Sequence, residues 1–328
     1  MSQLRIGTLG AARITPGALV KPCLRTGVAR VGAVAARDPE RAKAFARRHG
    51  VERTVATYED LVNDPDIDAV YNPLPNGLHG RWTLAALAAG KHVLCEKPFT
   101  ANAEEAETVA KAAERSGLVV MEAFHYRYHP LAARMVDVVT SGELGEIEHI
   151  ETALCFPLPN KGDIRYQLDL AGGALMDAGC YPVHLLRTLA GTEPEVLTAT
   201  AKLASPGVDR AMRATLLIPG GATGDVRCSM LSSDLLRATA RVVGDRGELK
   251  VINPYSPQAW HRLAVRTRLG HRVEHLTREA TYDFQLKAFV AAVAGGPVLT
   301  PPSEAVKNMA LIDAIYRAAG LEPRQPTA

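Results

Sequence analysis

Apolar residues in the first third of the chain fall in short, unbroken runs. Leu4–Leu9, Val31–Ala36, Ile67–Tyr71, His92–Cys95 and Leu118–Met121 each read as a strand with no polar face. The stretches between them, 16–26, 39–48, 78–89 and 102–116, carry helical patterns. Asn102 with Glu105 three residues later marks the start of the last of these, because such a pair satisfies amide groups that a helix leaves open. Apolar strands separated by helices predict a parallel sheet covered on both faces. Right-handed crossovers then make residues 1–122 a doubly wound α/β domain.

From residue 123 the rhythm changes. A helix over 129–140 leads to a strand at 146–156, and a second helix is predicted over 173–190. Alternating segments follow at 195–203, 210–218, 223–232, 237–243 and 247–252. Pro219-Gly220-Gly221 and Asp245-Arg246-Gly247 are turn signals between them. Strands joined by short turns predict an α+β domain over 123–328, built on a large, mostly antiparallel open sheet. Helices near 281–294 and 303–319 close the chain.

Composition adds limits. A chain of 328 residues matches roughly two domains at about 100–200 residues each. A net charge of +3, from 38 basic and 35 acidic residues, gives no broad electrostatic footprint for nucleic acid or an acidic membrane. Cys23, Cys95, Cys155, Cys180 and Cys228 are odd in number and form no C-x-x-C pair, which fits a reducing compartment. The N-terminus enters the first strand without a signal-like segment, and no run is long enough to span a bilayer, so a cytoplasmic protein is expected.

The first strand runs into Gly10-Ala11-Ala12-Arg13-Ile14-Thr15 just before a helix. A Rossmann dinucleotide-binding domain needs small residues here, because the backbone must turn tightly and approach a pyrophosphate at the helix N-terminus. Gly10 fills the first glycine position, while Ala12 and Thr15 replace the later small residues. The second strand ends in Ala35-Ala36-Arg37-Asp38. An NAD-selective site places a carboxylate at the position of Ala36 to accept bonds from the ribose. Without it, and with the Arg37 guanidinium beside it, a 2′-phosphate is favoured, so NADP(H) is expected over NAD(H). Arg37 as a solvated loop residue is the alternative. Asp38 is expected to cap the helix that starts at Pro39.

Three further strings carry candidate chemistry: Cys95-Glu96-Lys97-Pro98, Asn72-Pro73-x-Pro75-Asn76-x-x-His79, and Gly172-Gly173-Ala174-Leu175-Met176-Asp177-Ala178-Gly179-Cys180-Tyr181-Pro182. Asp177 and Tyr181 are one helical turn apart, with His184 on the same face. Lys97 ends a parallel strand, where open α/β sheets bind ligands. A lysine near a tyrosine lowers the cost of phenolate and suits it to acid–base work. With the Gly10 turn, these strings resemble the Gfo/Idh/MocA oxidoreductases. The likeness is to the branch of dimeric dihydrodiol dehydrogenase, NADP-dependent D-xylose 1-dehydrogenases and glucose–fructose oxidoreductase, and it covers nearly the whole chain.

The resemblance implies hydride transfer between a nicotinamide and a secondary alcohol, hemiacetal or ketone of a sugar-like or diol substrate. Tyr181 would be the general acid/base. Lys97 would orient the substrate oxygen and tune Tyr181, and Asp177 would bond the substrate or the Lys97–Tyr181 pair. Gly10, Ala11, Ala12, Arg13, Ile14, Arg37, Pro73, Asn76, His79, Glu96 and Lys97 would hold the cofactor. Phe124, Phe156 and Arg165 would join Lys97, Asp177 and Tyr181 at the substrate, with Tyr166 beside the two phenylalanines. The family also implies a cis peptide between Lys97 and Pro98 and pairing of subunits through the open sheet face. Val226, Cys228 and Met230 alternate as such a face requires, so a homodimer or homotetramer is expected. The helix over 303–319 would return to the nucleotide domain.

Other readings remain open on the residues alone. Arg165 equally suits an ion pair with Asp163 or Asp169, and Tyr181 equally suits a core tyrosine. His125 and His129 have helical spacing, but Pro130 follows and no third ligand is evident, so no metal is expected. Two other functions compete: a ketoreductase of a nucleotide-activated or 3-keto sugar, and an NADP-binding sensor on the same scaffold.

Overall fold

The computed structural model describes residues 3–160, 162–231 and 236–328. The chain divides into two compact units. One runs to His125 and takes back Tyr282–Val306; the other comprises Tyr126–Thr281 and Lys307–Ala328.

The first unit holds a six-stranded parallel sheet of β1 (Leu4–Leu9), β2 (Ala29–Ala35), β3 (Arg53–Val55), β4 (Ala69–Asn72), β5 (His92–Cys95) and β6 (Val120–Glu122). The strand order is β3-β2-β1-β4-β5-β6. The order reverses between β1 and β4, so the crevice at their C-terminal ends is where this topology binds ligands. Helices Pro39–His49, His79–Ala88 and Ala103–Ser116 connect the strands. The Asp38 carboxylate accepts the Glu40 amide at 2.9 Å, and Pro39 takes the first turn, where its missing N–H costs nothing. Asn102 Oδ1 accepts the Glu105 amide at 3.0 Å, while the Glu105 carboxylate reaches back to the Ala101 amide at 2.9 Å.

The second unit is built on eight strands: β7 (Ile147–Cys155), β8 (Glu195–Ser205), β9 (Val208–Leu217), β10 (Thr223–Ser229), β11 (Arg237–Gly244), β12 (Gly247–Ile252), β13 (Arg262–Thr267) and β14 (Gly270–Glu274). Their order is β14-β13-β12-β11-β7-β10-β9-β8. Among the described residues of this sheet, only β7 and β10 pair in parallel. The expected strand over 223–232 ends at Ser229, and Ser232 lies outside the described residues. Both predicted turns are present: Asp245-Arg246 links β11 to β12, and Pro219–Gly221 links β9 to β10.

Two expectations change here. Val226, Cys228 and Met230 do not line the open face of the sheet. They are buried on the face covered by the chain's own helix, where a Cβ at Gly179 would lie 2.7 Å from Cys228 Sγ. The opposite face carries charge instead, with Arg237 on Glu151 at 2.6 Å and Thr215 on Asp225 at 2.8 Å. The final helix also changes allegiance. The segment that returns to the first unit is Tyr282–Val306, tied by Arg25 to Asp283 at 2.7 Å and by the Thr300 hydroxyl to the Glu122 carbonyl at 2.7 Å. Most of helix Pro302–Ala318 belongs to the second unit, where buried Tyr316 donates to Asp209.

Candidate active site

In the first unit the loop after β1 is shaped by Gly10. Its φ of +85° is one that residues with a side chain rarely adopt, and a Cβ there would lie 3.2 Å from Leu74. The Gly10 amide donates to the Ala35 carbonyl at 2.6 Å, which ties the loop to the end of β2. Ala11 and Ala12 are half-buried, while Arg13 and Ile14 face outward. A π turn, Pro16–Val20, opens the following helix. At its entry Thr15 is fully buried, and its hydroxyl has no hydrogen-bond partner among the described residues. At the end of β2, Ala36 is buried and Arg37 exposed. A tight glycine turn, small neighbours, an unsatisfied buried hydroxyl and an exposed guanidinium with no carboxylate at Ala36 fit a phosphorylated dinucleotide.

The ends of β4 and β5 lie beside this loop in the sheet order. Tyr71 donates to Glu96 at 2.7 Å, and the Glu96 amide donates to the Asn72 carbonyl at 3.0 Å. Lys97 is half-buried, Pro73 buried and Asn76 half-buried. The Lys97–Pro98 peptide is cis, as the resemblance implies.

His79 behaves differently from expectation. It is 1% exposed, and its ring nitrogens lie 2.7 Å from the carbonyls of Pro98 and Leu74. Burial pushes its pKa down to about 4, outweighing the two carbonyls that pull it up. Neutral imidazole carries one N–H, so one nitrogen donates to a backbone carbonyl and the other is packed against the second; His79 braces the loops that follow β4 and β5 and leaves a cofactor no accessible nitrogen. Phe124 is also corrected: it is fully buried and presents no surface for a sugar face. His125 stacks on Tyr282 at 4.2 Å between ring centroids.

In the second unit the Gly172 string forms a π turn, Leu175–Gly179, continuous with helix Cys180–Ala190. Such turns widen a helix and recur at functional sites. Asp177 and Tyr181 project from it one turn apart. Tyr181 is 8% exposed, with the rings of Tyr255 and Tyr126 at 5.6 and 6.0 Å between centroids. His184 is drawn away from this chemistry: its Nδ1 lies 2.6 Å from the Tyr126 hydroxyl. Burial holds His184 neutral, well below the ordinary histidine range, and pushes the Tyr126 phenol up.

Arg165 lies 3.0 Å from Asp177 and 3.3 Å from Asp163. Of the two partners expected for it, the structure selects Asp163 and not Asp169, and adds Asp177. Phe156 is half-buried, and Tyr166 donates to the Leu158 carbonyl at 2.8 Å. His129 caps the next helix by accepting the Leu131 amide at 3.1 Å. Among the described residues no helix is long and apolar enough to cross a membrane, and no group of three metal-ligating side chains forms.

The glycine turn and small residues after β1 fit a nicotinamide-dependent oxidoreductase. Comparison with known proteins agrees. Residues 4–124 match the model of the Gfo/Idh/MocA oxidoreductases described as an oxidoreductase family with an NAD-binding Rossmann fold, and residues 132–250 match the C-terminal domain of the same family. The chain is 37% identical to D-xylose 1-dehydrogenase (NADP(+)) 2 of Haloferax volcanii, over 96% of this chain and 97% of that protein. It is 34% identical to trans-1,2-dihydrobenzene-1,2-diol dehydrogenase of Sus scrofa, over 68% of this chain and 66% of that one. A 3-ketoreductase from Actinomadura kijaniata, solved with NADP and TDP-benzene, superposes with a TM-score of 0.90 at 30% identity, covering 97% of this chain and 98% of the other. The chain belongs to the Gfo/Idh/MocA family of sugar oxidoreductases.

Proposed function

We propose that this enzyme transfers a hydride between NADP(H) and a secondary alcohol, hemiacetal or ketone of a neutral, sugar-like or diol substrate. Tyr181 acts as general acid/base, assisted by Lys97 and Asp177. The observation that carries the reading is the placement of Tyr181 and Asp177 on one buried helix, with Asp177 held by Arg165. Gly10, Ala11, Ala12, Arg13 and Ile14 would wrap the pyrophosphate, and Arg37 would meet the 2′-phosphate. Pro73, Asn76, Glu96 and Lys97 would complete the cofactor site.

The bound nicotinamide supplies the hydride acceptor or donor. The chain's own groups manage the proton. In oxidation Tyr181 Oη takes the hydroxyl proton of the substrate; in reduction it returns one to the new alkoxide. On the family's pattern Lys97 would fix the substrate oxygen and lower the cost of the phenolate form. Asp177, already aligned by Arg165, accepts a bond from a neighbouring substrate hydroxyl. Phe156 supplies an apolar surface for a sugar face.

Arg165 carries two carboxylates, Asp163 and Asp177, so this cluster bears a net negative charge and does not attract a phosphate. That supports a neutral polyol. The likeness to a ketoreductase solved with TDP-benzene favours the second reading, reduction of a nucleotide-activated keto-sugar. A spectrophotometric panel separates them: aldoses, inositols and trans-diols with NADP⁺ on one side, nucleotide-linked keto-sugars with NADPH on the other. Turnover of unphosphorylated aldoses or diols supports the first reading. Turnover confined to nucleotide-linked substrates overturns it.

A further inference from the structure

The C-terminal residues contain an arginine that has almost no access to water. Arg324 is 2% exposed, although its stretch, Leu-Glu-Pro-Arg-Gln-Pro, reads as an irregular tail. Burying a guanidinium is costly unless its donors are all used. Arg324 Nε donates to the Gly172 carbonyl at 2.6 Å and Nη2 to Asp209 Oδ1 at 2.7 Å. Its guanidinium also lies over the Tyr316 ring, 4.2 Å from the centroid.

Asp209 is fully buried and links this arginine to the helix bearing Asp177 and Tyr181. Its Oδ1 accepts from Arg324 and from the Tyr316 hydroxyl, the latter at 3.0 Å. Its Oδ2 accepts the Leu175 amide, the first of the π turn, at 2.7 Å. Further along the tail, the Thr327 hydroxyl donates to the Asp169 carbonyl at 2.6 Å. Residues 169, 172 and 175 are therefore all anchored, directly or through Asp209, to the last few residues of the chain. Gly173 leaves the room: a Cβ there would lie 2.2 Å from Asp209 Oδ1 and 2.6 Å from the Arg324 guanidinium.

We propose that Arg324, acting through Asp209, is a positioning residue that sets the start of the π turn and so aims Asp177 and Tyr181. The link to catalysis rests on the function proposed above; the link to the geometry of the turn does not. Arg324 touches no reacting atom in this account. It acts on the turn from which the reacting groups project, and small errors in aim are costly in rate.

The test compares full-length wild type, Arg324→Ala and Arg324→Lys by hydrogen exchange with mass spectrometry. In parallel, NADP⁺-dependent D-xylose oxidation is measured with and without added methylguanidinium. Exchange across residues 173–181 is expected to rise about tenfold in Arg324→Ala while the β1–β6 sheet keeps its wild-type protection. Methylguanidinium should restore both exchange and rate. Arg324→Lys keeps a positive charge against Asp209 but cannot serve two acceptors and stack at once; it carries the test if the alanine variant does not fold. It should show an intermediate rise in exchange. Turnover should fall about tenfold in kcat with KM little changed. Unchanged exchange at 173–181, or a rise spread evenly over the chain, overturns the proposal. If wild type oxidises no aldose or diol, the proposed function fails, and the exchange pattern still decides whether Arg324 sets the turn.

Discussion

Arg165 Nε lies 3.0 Å from Asp177 Oδ2, in the π turn that precedes Tyr181. The Asp177 carboxylate does most to raise the arginine's pKa, with Asp163 behind it. The pair joins the loop before the Gly-Gly start to the turn after it, so one guanidinium fixes the direction of the carboxylate. Asp177→Asn is expected to lower kcat/KM by about a hundredfold, because the amide presents one acceptor in place of two charged oxygens. Arg165→Ala should lower it by about tenfold, chiefly by freeing Asp177. Steady-state kinetics on both variants check this. Equal losses in the two would place Arg165 itself on the substrate.

On the proposed function, cofactor choice rests on Arg37 at the end of β2. Arg37→Ala should weaken NADP(H) binding by about ten- to a hundredfold and leave NAD(H) within about twofold, since only the former loses a charge-assisted bond. Titration of the reduced cofactors by fluorescence measures both constants. Equal weakening of the two would assign Arg37 to adenine rather than to phosphate.

Buried histidines predict an acid-side loss of stability. His79 and His129 both have pKa values pushed down to about 4 by burial, and burial holds His184 well below its ordinary range. Each is neutral in the folded chain and protonated in the unfolded chain between that value and about 6.5. The unfolded state therefore binds more protons in this window, and stability rises with pH across it. The contribution is complete above about pH 6.5 and is lost as pH falls towards 4. Removing one such histidine, as in His79→Asn, should lower the slope of stability against pH by about 1.4 kcal/mol per unit inside the window. Urea unfolding at intervals of pH gives that slope.

Gly173 is a backbone requirement. Its φ is +139°, and a methyl group would collide with Asp209, Arg324 and Tyr316 together. Gly173→Ala is expected to destabilise the protein by roughly 3 kcal/mol or more, combining strain with disruption of a buried ion pair. A melting curve checks this directly. A loss under about 1 kcal/mol would mean the cluster repacks easily.

Much of this was legible in the sequence, for physical reasons. The five apolar strands of the parallel sheet announced themselves because both their faces are buried. Asp38 and Asn102 announced helix starts because caps are local. The segments β3, β13 and β14 were not legible. Arg53–Val55 is short and exposed, and β14 is largely exposed; β13 buries Leu263 and Val265, but arginines on both sides cut its apolar pattern short. The alternation of Val226, Cys228 and Met230 was visible, but alternation does not say which face the chain covers itself. The Gly172-Gly173 pair was visible as a motif without its reason. That reason is Asp209 and Arg324, which are distant in sequence and look like an ordinary strand residue and an ordinary tail residue. His79 misled because a helix-start histidine after β4 looks available, whereas two backbone carbonyls enclose it.

The most direct test of the account is the absorbance of the reduced nicotinamide with NADP⁺ and a panel of aldoses and diols, for wild type beside Tyr181→Phe. The account predicts turnover by wild type and a loss of at least about a thousandfold in kcat for the variant, with NADP⁺ affinity unchanged, because only the proton carrier has been removed. A variant that turns over at the wild-type rate would contradict Tyr181 as the acid/base and return it to the core.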